Sequence, residues 1–228
     1  MKKIILSIII LFFSNIITVF SHVEHYKDFN YLEYELFRNN KLIGTHKYNF
    51  NRNGNNLQVK SVVNFQIKKL NVVLYKYFAE SEENYKDSKF HSFSSKTKQN
   101  KKDKYVKVTV DKEKNKLNID GSSYKGKGSI DDIVGTWWNH EIVKSKAQIS
   151  AISGRIIDQT VTFKGKEIIK IGENTFETLH FNFKSSDQTL PDSKKLNTDI
   201  WYDEKTFLWV KASFIKSGNW EYRLKKYK

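Results

Sequence analysis

The chain contains no cysteine, one proline (Pro191) and no methionine after Met1. Without thiols there are no disulfides, no cysteine nucleophile, no thiolate metal site and no cysteine to carry an N-terminal lipid. A core must therefore hold by packing and sheet hydrogen bonds, which a chain of 228 residues is long enough to supply. The near absence of proline leaves long stretches free to enter β-ladders. Catalytic signatures are missing as well: there is no Gly-x-Ser-x-Gly elbow, no His-Glu-x-x-His pair and no phosphate-binding Gly-x-x-x-x-Gly-Lys loop. Acidic residues are scarce beside basic ones, 25 against 40, for a net charge of +15. Such a surface can meet anionic membrane headgroups or other polyanions. No nucleic-acid-binding motif accompanies it, so no nucleic-acid partner is expected. Lys, Asn, Ile, Phe and Tyr, all abundant here, share A/T-rich codons, so genomic composition also accounts for part of the charge.

What is present begins with a leader. Lys2 and Lys3 precede an apolar run from Ile4 to Phe20, and Val19-Phe20-Ser21 offers a cleavage site. This is the pattern of a secretory signal peptide over residues 1–21, with the run somewhat short for a spanning helix. The expectation is an exported, periplasmic or secreted protein whose single domain covers residues 22–228. No later stretch is apolar enough to cross a bilayer.

Period-two alternation then dominates. Leu32, Tyr34 and Leu36 alternate with polar neighbours up to a hairpin signal at Asn39-Asn40. Leu42, Gly44, His46, Tyr48 and Phe50 share the next inner face, and Leu57, Val59, Ser61, Val63, Phe65 and Ile67 the one after Asn53-Gly54. The pattern recurs to the C-terminus, giving about a dozen strands. One segment changes period: Ser129 and Asp132 read as a capping box, followed by Ile130, Ile133, Val134, Trp137, Trp138 and Ile142 at helical spacing. The expected fold is all-β and mainly antiparallel, an up-and-down open or half β-barrel with one amphipathic helix over Ser129–Val143 packed on or in it.

The hairpin Tyr34 to Lys41-Leu42-Ile43-Gly44-Thr45-His46, the block Trp137-Trp138-Asn139-His140, and the closing run Ile200-Trp201-Tyr202-Asp203-Glu204 to Tyr222-Arg223-Leu224 resemble an exported bacterial family of unknown function, DUF6134, itself similar to the broader DUF3108 group. The resemblance covers most of the chain after the leader. It implies an open β-barrel of the kind that carries lipids or lipoproteins, and it supplies no catalytic residues.

The inward aromatic set exceeds what a small core needs. A ligand-binding face is accordingly expected from Gly44, His46, Tyr48, Trp137, Trp138, His140 and Trp201, with an apolar or lipid-like molecule as partner. Gly44 marks either a close backbone approach or twist relief beside the turn. His46 is a base, a metal ligand or a satisfied core residue. A hydrolase using His46 or His140 with an acid, and an envelope protein held to anionic surfaces by its lysines, are the alternatives. Asp199 and Asp203 share a face around Trp201 and read as solvated turn carboxylates. After cleavage, His22-Val23-Glu24-His25 would join a terminal amine to imidazoles, a copper-type donor set, but chain ends are ordinarily too loose to hold one. No metal and no cofactor are expected.

Overall fold

A computed structural model describes residues 26–228. The proposed leader and the His22–His25 stretch lie outside them. The strands run in chain order: β1 (Tyr31–Arg38), β2 (Lys41–Asn53), β3 (Asn56–Lys69), β4 (Val72–Lys86), β5 (Lys89–Gln99), β6 (Lys102–Asp111), β7 (Lys116–Gly121), β8 (Lys125–Ser129), β9 (Ile133–Val134), β10 (Ala147–Ile149), β11 (Ile156–Ile171), β12 (Asn174–Ser185), β13 (Asn197–Asp203), β14 (Trp209–Ile215) and β15 (Asn219–Tyr227).

They form one 15-stranded sheet in the order β8-β7-β6-β5-β4-β3-β2-β1-β15-β14-β13-β12-β11-β10-β9. Each strand lies beside its sequence neighbours, as short turns dictate, except β8 and β9, and β1 pairs antiparallel with β15. That pairing joins the first and last strands of the described chain in the middle of the sheet. The sheet stays open between β8 and β9, which share no ladder. Only β9 and β10 run parallel. Alternation decides the faces: Leu32, Tyr34 and Leu36, then Tyr48 and Phe50, then Leu57, Val59 and Phe65 all point inward and are buried. Lysines, asparagines and glutamates take most of the outer positions.

The open seam is closed by packing instead. Phe93, Val106, Val108, Leu117 and Ile119 from the inner face of β5–β7 cluster with Val134 of β9 and Ile149 of β10. The larger core gathers Tyr34, Tyr48, Trp138, Tyr202 and Trp209. Tyr26 completes it from outside the strands: wholly buried, it stacks on Phe50 at 5.5 Å and donates its hydroxyl to the Phe207 carbonyl.

Two expectations need correction. The count is fifteen strands, because the Lys125-Gly126-Lys127-Gly128 strand has too few side chains to show a period and the two-residue β9 is too short for one. Nor is Ser129–Val143 an amphipathic helix: it holds β9, irregular backbone, and a 3-10 turn at His140–Val143. The capping-box bonds do form, Ser129 N–H donating to Asp132 and Asp131 N–H to the Ser129 hydroxyl. They close a turn instead of opening a helix. β-branched Ile133 and Val134 pair with β10, Gly135 follows, and Trp137 has a left-handed φ of 63°, which no right-handed helix accepts.

Candidate ligand cavity and the segment that lines it

Because the sheet is a meander, its turns fall at alternating ends. Asn39-Asn40, Leu70-Asn71, Asn100-Lys101 and Ser217-Gly218 lie at one end, here the mouth, and Asn53-Gly54 and Asp87-Ser88 at the other, the base. The segment between β8 and β10 lies inside the barrel, tied by side chains from several walls. Tyr48 donates to the Thr136 carbonyl at 2.6 Å and Tyr202 to the Trp137 carbonyl at 2.8 Å. Gln159 donates to the carbonyls of Ile142 and Ser145, each at 3.1 Å.

A buried carboxylate from β4 holds the centre of this segment. Glu83 accepts from Trp138 Nε1 at 2.9 Å, from the Thr136 hydroxyl at 3.1 Å, and from the Tyr85 hydroxyl. Asn139 donates in turn to the Tyr85 oxygen at 3.3 Å. Burial pushes the Glu83 carboxyl above its ordinary range, and the bonds from Tyr85, Trp138 and Thr136 oppose that shift. Trp138, 1% exposed, is therefore a structural anchor, its ring against Tyr26, Phe50 and Tyr85.

Above the segment, toward the mouth, lies a cavity of about 510 Å³, lined among others by His46, Tyr48, Val63, Tyr77, Trp137 and Tyr222, with Arg155, Lys194, Lys195 and Lys216 contributing to its boundary. A second, more polar hollow of about 1060 Å³ borders Glu83 at the base side, with Lys89, Asp131 and Lys144 among its walls. The His46 ring packs 4.3 Å from Tyr48 and about 6 Å from Tyr34, Trp209 and Tyr222. Among the described residues neither of its nitrogens has a hydrogen-bond partner, and Trp209 Nε1 beside it has none either. Burial pushes the imidazole down to about 3, so it is neutral at physiological pH.

The sequence-picked residues divide. His46, Tyr48 and Trp137 meet at the cavity. Gly44 sits one inward position above His46 and is a close approach: a Cβ there would lie 2.1 Å from the Asn64 carbonyl and 2.4 Å from Phe65 Cβ. Trp138 and His140 belong to the packed segment, His140 stacking on Phe207 at 4.5 Å and 3.5 Å from Glu141. Trp201 is on the other side of the wall: its neighbours Ile200 and Tyr202 point into the core, and it points out.

That outer face carries a cluster the sequence did not disclose. His180 bridges Glu167 at 2.7 Å and Asp199 at 2.9 Å, and stacks on Trp201 at 4.2 Å. Trp201 Nε1 donates to Glu167 at 2.9 Å, and Lys211 lies over the ring at 4.8 Å. Burial would raise the Glu167 carboxyl, but donors Trp201 and His180 outweigh it and hold it low. Asp199 thus orders a side-chain network, while Asp203 caps its turn by accepting from Thr206 N–H at 2.9 Å. The bulge at Gly165 sets which β11 residue faces His180, and nothing in the linear pattern marks it. Among the described residues no group of three acidic or histidine side chains is arranged to hold a metal ion.

An open sheet wrapped round a packed internal segment, with a cavity at one end, defines a β-barrel-like protein. The chain belongs to DUF6134, a domain of unknown function, whose family model matches residues 34–225. It is similar in structure to a β-barrel-like protein of domain of unknown function DUF1849 from Brucella abortus, with a TM-score of 0.59 and 10% identity over 87% of this chain and 96% of that one. At that identity the likeness shows the fold alone. No curated protein matches the sequence.

Proposed function

We propose that the protein is an exported binding or carrier module, and that its mouth-side cavity takes an apolar molecule bearing one uncharged hydrogen-bonding group. The observation that carries this reading is the cavity itself: about 510 Å³ whose wall mixes aromatic and aliphatic side chains such as Tyr48, Val63, Trp137 and Tyr222 with hydroxyls and a charged boundary, and holds an unpartnered imidazole. Ligand pockets of this size with a few polar groups are the ordinary form of small-molecule sites. A buried donor or acceptor left unpaired costs roughly 1–3 kcal/mol, and such groups call for an explanation. A ligand hydroxyl, amide or protonated acid reaching His46 after a small side-chain movement supplies one. A neutral imidazole offers one donor and one acceptor, which suits an uncharged group better than an anion.

The hydrolase alternative gains nothing from His46. Its pKa of about 3 makes it a feeble base near neutrality, and no carboxylate orients it. The test is native mass spectrometry of gently purified protein, followed by titration with a fluorescent single-chain fatty alcohol. Saturable uptake that Val63→Trp abolishes by filling the cavity supports the reading. Protein that is ligand-free throughout and shows no saturable uptake overturns it.

A further inference from the structure

The β3–β4 hairpin breaks the surface pattern of the fold. Its two-residue turn, Leu70-Asn71, has left-handed φ values of 47° and 63°. At such positions the other strand-connecting turns use Asn, Asp, Ser or Gly, residues that tolerate this backbone or bond to it, apart from Phe207, whose ring is packed against His140. Leucine pays a steric penalty of roughly 1–2 kcal/mol there, and it is the most exposed large apolar side chain described, at 91%. Val72, Val73 and Leu74 continue the apolar tip at 61%, 38% and 56% exposure. Leu42, beside the adjacent β1–β2 turn, and Ile215, beside the β14–β15 turn next along the mouth, are 56% and 83% exposed.

Charge completes the arrangement. From Gln66 to Phe78 the hairpin carries Lys68, Lys69 and Lys76 and no acid. The adjacent mouth-end turns add Lys41 on one side and Lys98, Lys101, Lys102 and Lys104 on the other, with Asp103 the acid among them. An apolar tip rimmed by lysines matches a lipid interface, where aliphatic side chains enter the acyl boundary and cations meet phosphates. A protein partner of matching shape would need no such collar of a single charge sign.

We infer that the Leu70–Leu74 tip is a membrane-docking element that seats the mouth end on a bilayer containing anionic lipid. The inference stands whether or not the cavity holds a ligand. It is tested by flotation of the full protein with vesicles of phosphatidylglycerol and phosphatidylcholine in equal parts, and with phosphatidylcholine alone. The wild-type chain should float with the anionic vesicles, less so as salt rises from about 0.1 M to about 1 M, where screening shortens to roughly 3 Å. Leu70→Asn should lower partitioning about tenfold, as should the pair Lys68→Glu and Lys69→Glu. Because Asn suits the left-handed turn, Leu70→Asn should leave the unfolding temperature unchanged or raise it, which separates lost docking from lost folding. Equal flotation of Leu70→Asn and wild type, or no flotation with anionic vesicles, overturns the inference. So does a wild-type dimer in sedimentation that Leu70→Asn dissolves while flotation is unchanged, since the tip would then meet a second copy.

Discussion

Replacing His46 by phenylalanine should make the protein markedly less sensitive to mild acid. In the folded chain burial holds the imidazole at about 3, against 6.5 for an exposed histidine. Between those values the unfolded state binds a proton that the folded state refuses. The histidine's contribution is thus complete above pH 6.5 and is lost as pH falls toward 3. From pH 7 to pH 5 the unfolded histidine gains about 1.4 units of proton-binding free energy, close to 2 kcal/mol of lost stability. Phenylalanine keeps a ring against Tyr48 and Tyr34 and cannot titrate. Denaturant unfolding of both proteins at pH 7 and pH 5 measures the effect, and the other titrating groups cancel in the difference. The wild type should lose about 2 kcal/mol more than His46→Phe over that range. If phenylalanine disturbs the core, His46→Gln gives the same comparison with a neutral polar side chain. Identical pH dependence in variant and wild type would refute the claim that the imidazole is buried neutral.

Glu83→Leu strips an acceptor from Trp138, Thr136 and Tyr85, and should cost about 3 kcal/mol in denaturant unfolding. Glu83→Gln keeps an acceptor and removes a buried charge. Since the folded carboxyl titrates above its unfolded value, its contribution is full in acid and fades as pH rises, so the Gln variant should gain stability relative to wild type between pH 4 and pH 7. Gly44→Ala forces a Cβ against the Asn64 carbonyl and should cost about 2 kcal/mol, read as a lower thermal midpoint. His180→Ala, on the outer wall, should change stability by under about 1 kcal/mol while shifting the fluorescence of Trp201, against which it stacks.

The wall of the barrel was legible because its rule is local. Period-two alternation from Leu32 to Ile67 assigns each side chain to a face, and asparagines mark the turns. The interior segment defeats a local rule: Ile130, Val134, Trp137 and Trp138 fit a helical wheel, yet the segment is held at Thr136, Trp137 and Trp138 by Tyr48, Tyr202 and Glu83 on distant strands. Glu83 gave no signal, being one acid in the run Glu80-Ser81-Glu82-Glu83, and only its inward phase distinguishes it. Aromatic character alone suggests an inward Trp201, whereas the phase of Ile200 and Tyr202 places it outward. His46 and Tyr48 were found because phase and residue type agreed.

The pairing of β1 with β15 has a consequence for how the chain reaches this state. Every other ladder, the parallel β9–β10 contact apart, joins strands consecutive in sequence and forms by short loop closure, on the microsecond scale of a hairpin. The seam between Tyr31–Arg38 and Asn219–Tyr227 brings together the two far ends of the described chain, so its closure carries the largest loop entropy in the fold. During synthesis β1 must wait, with its ladder edge unpaired, until the last strand has been made. The two halves of the sheet are joined in one late, non-local step, which lengthens the interval in which an unpaired strand edge is exposed to aggregation.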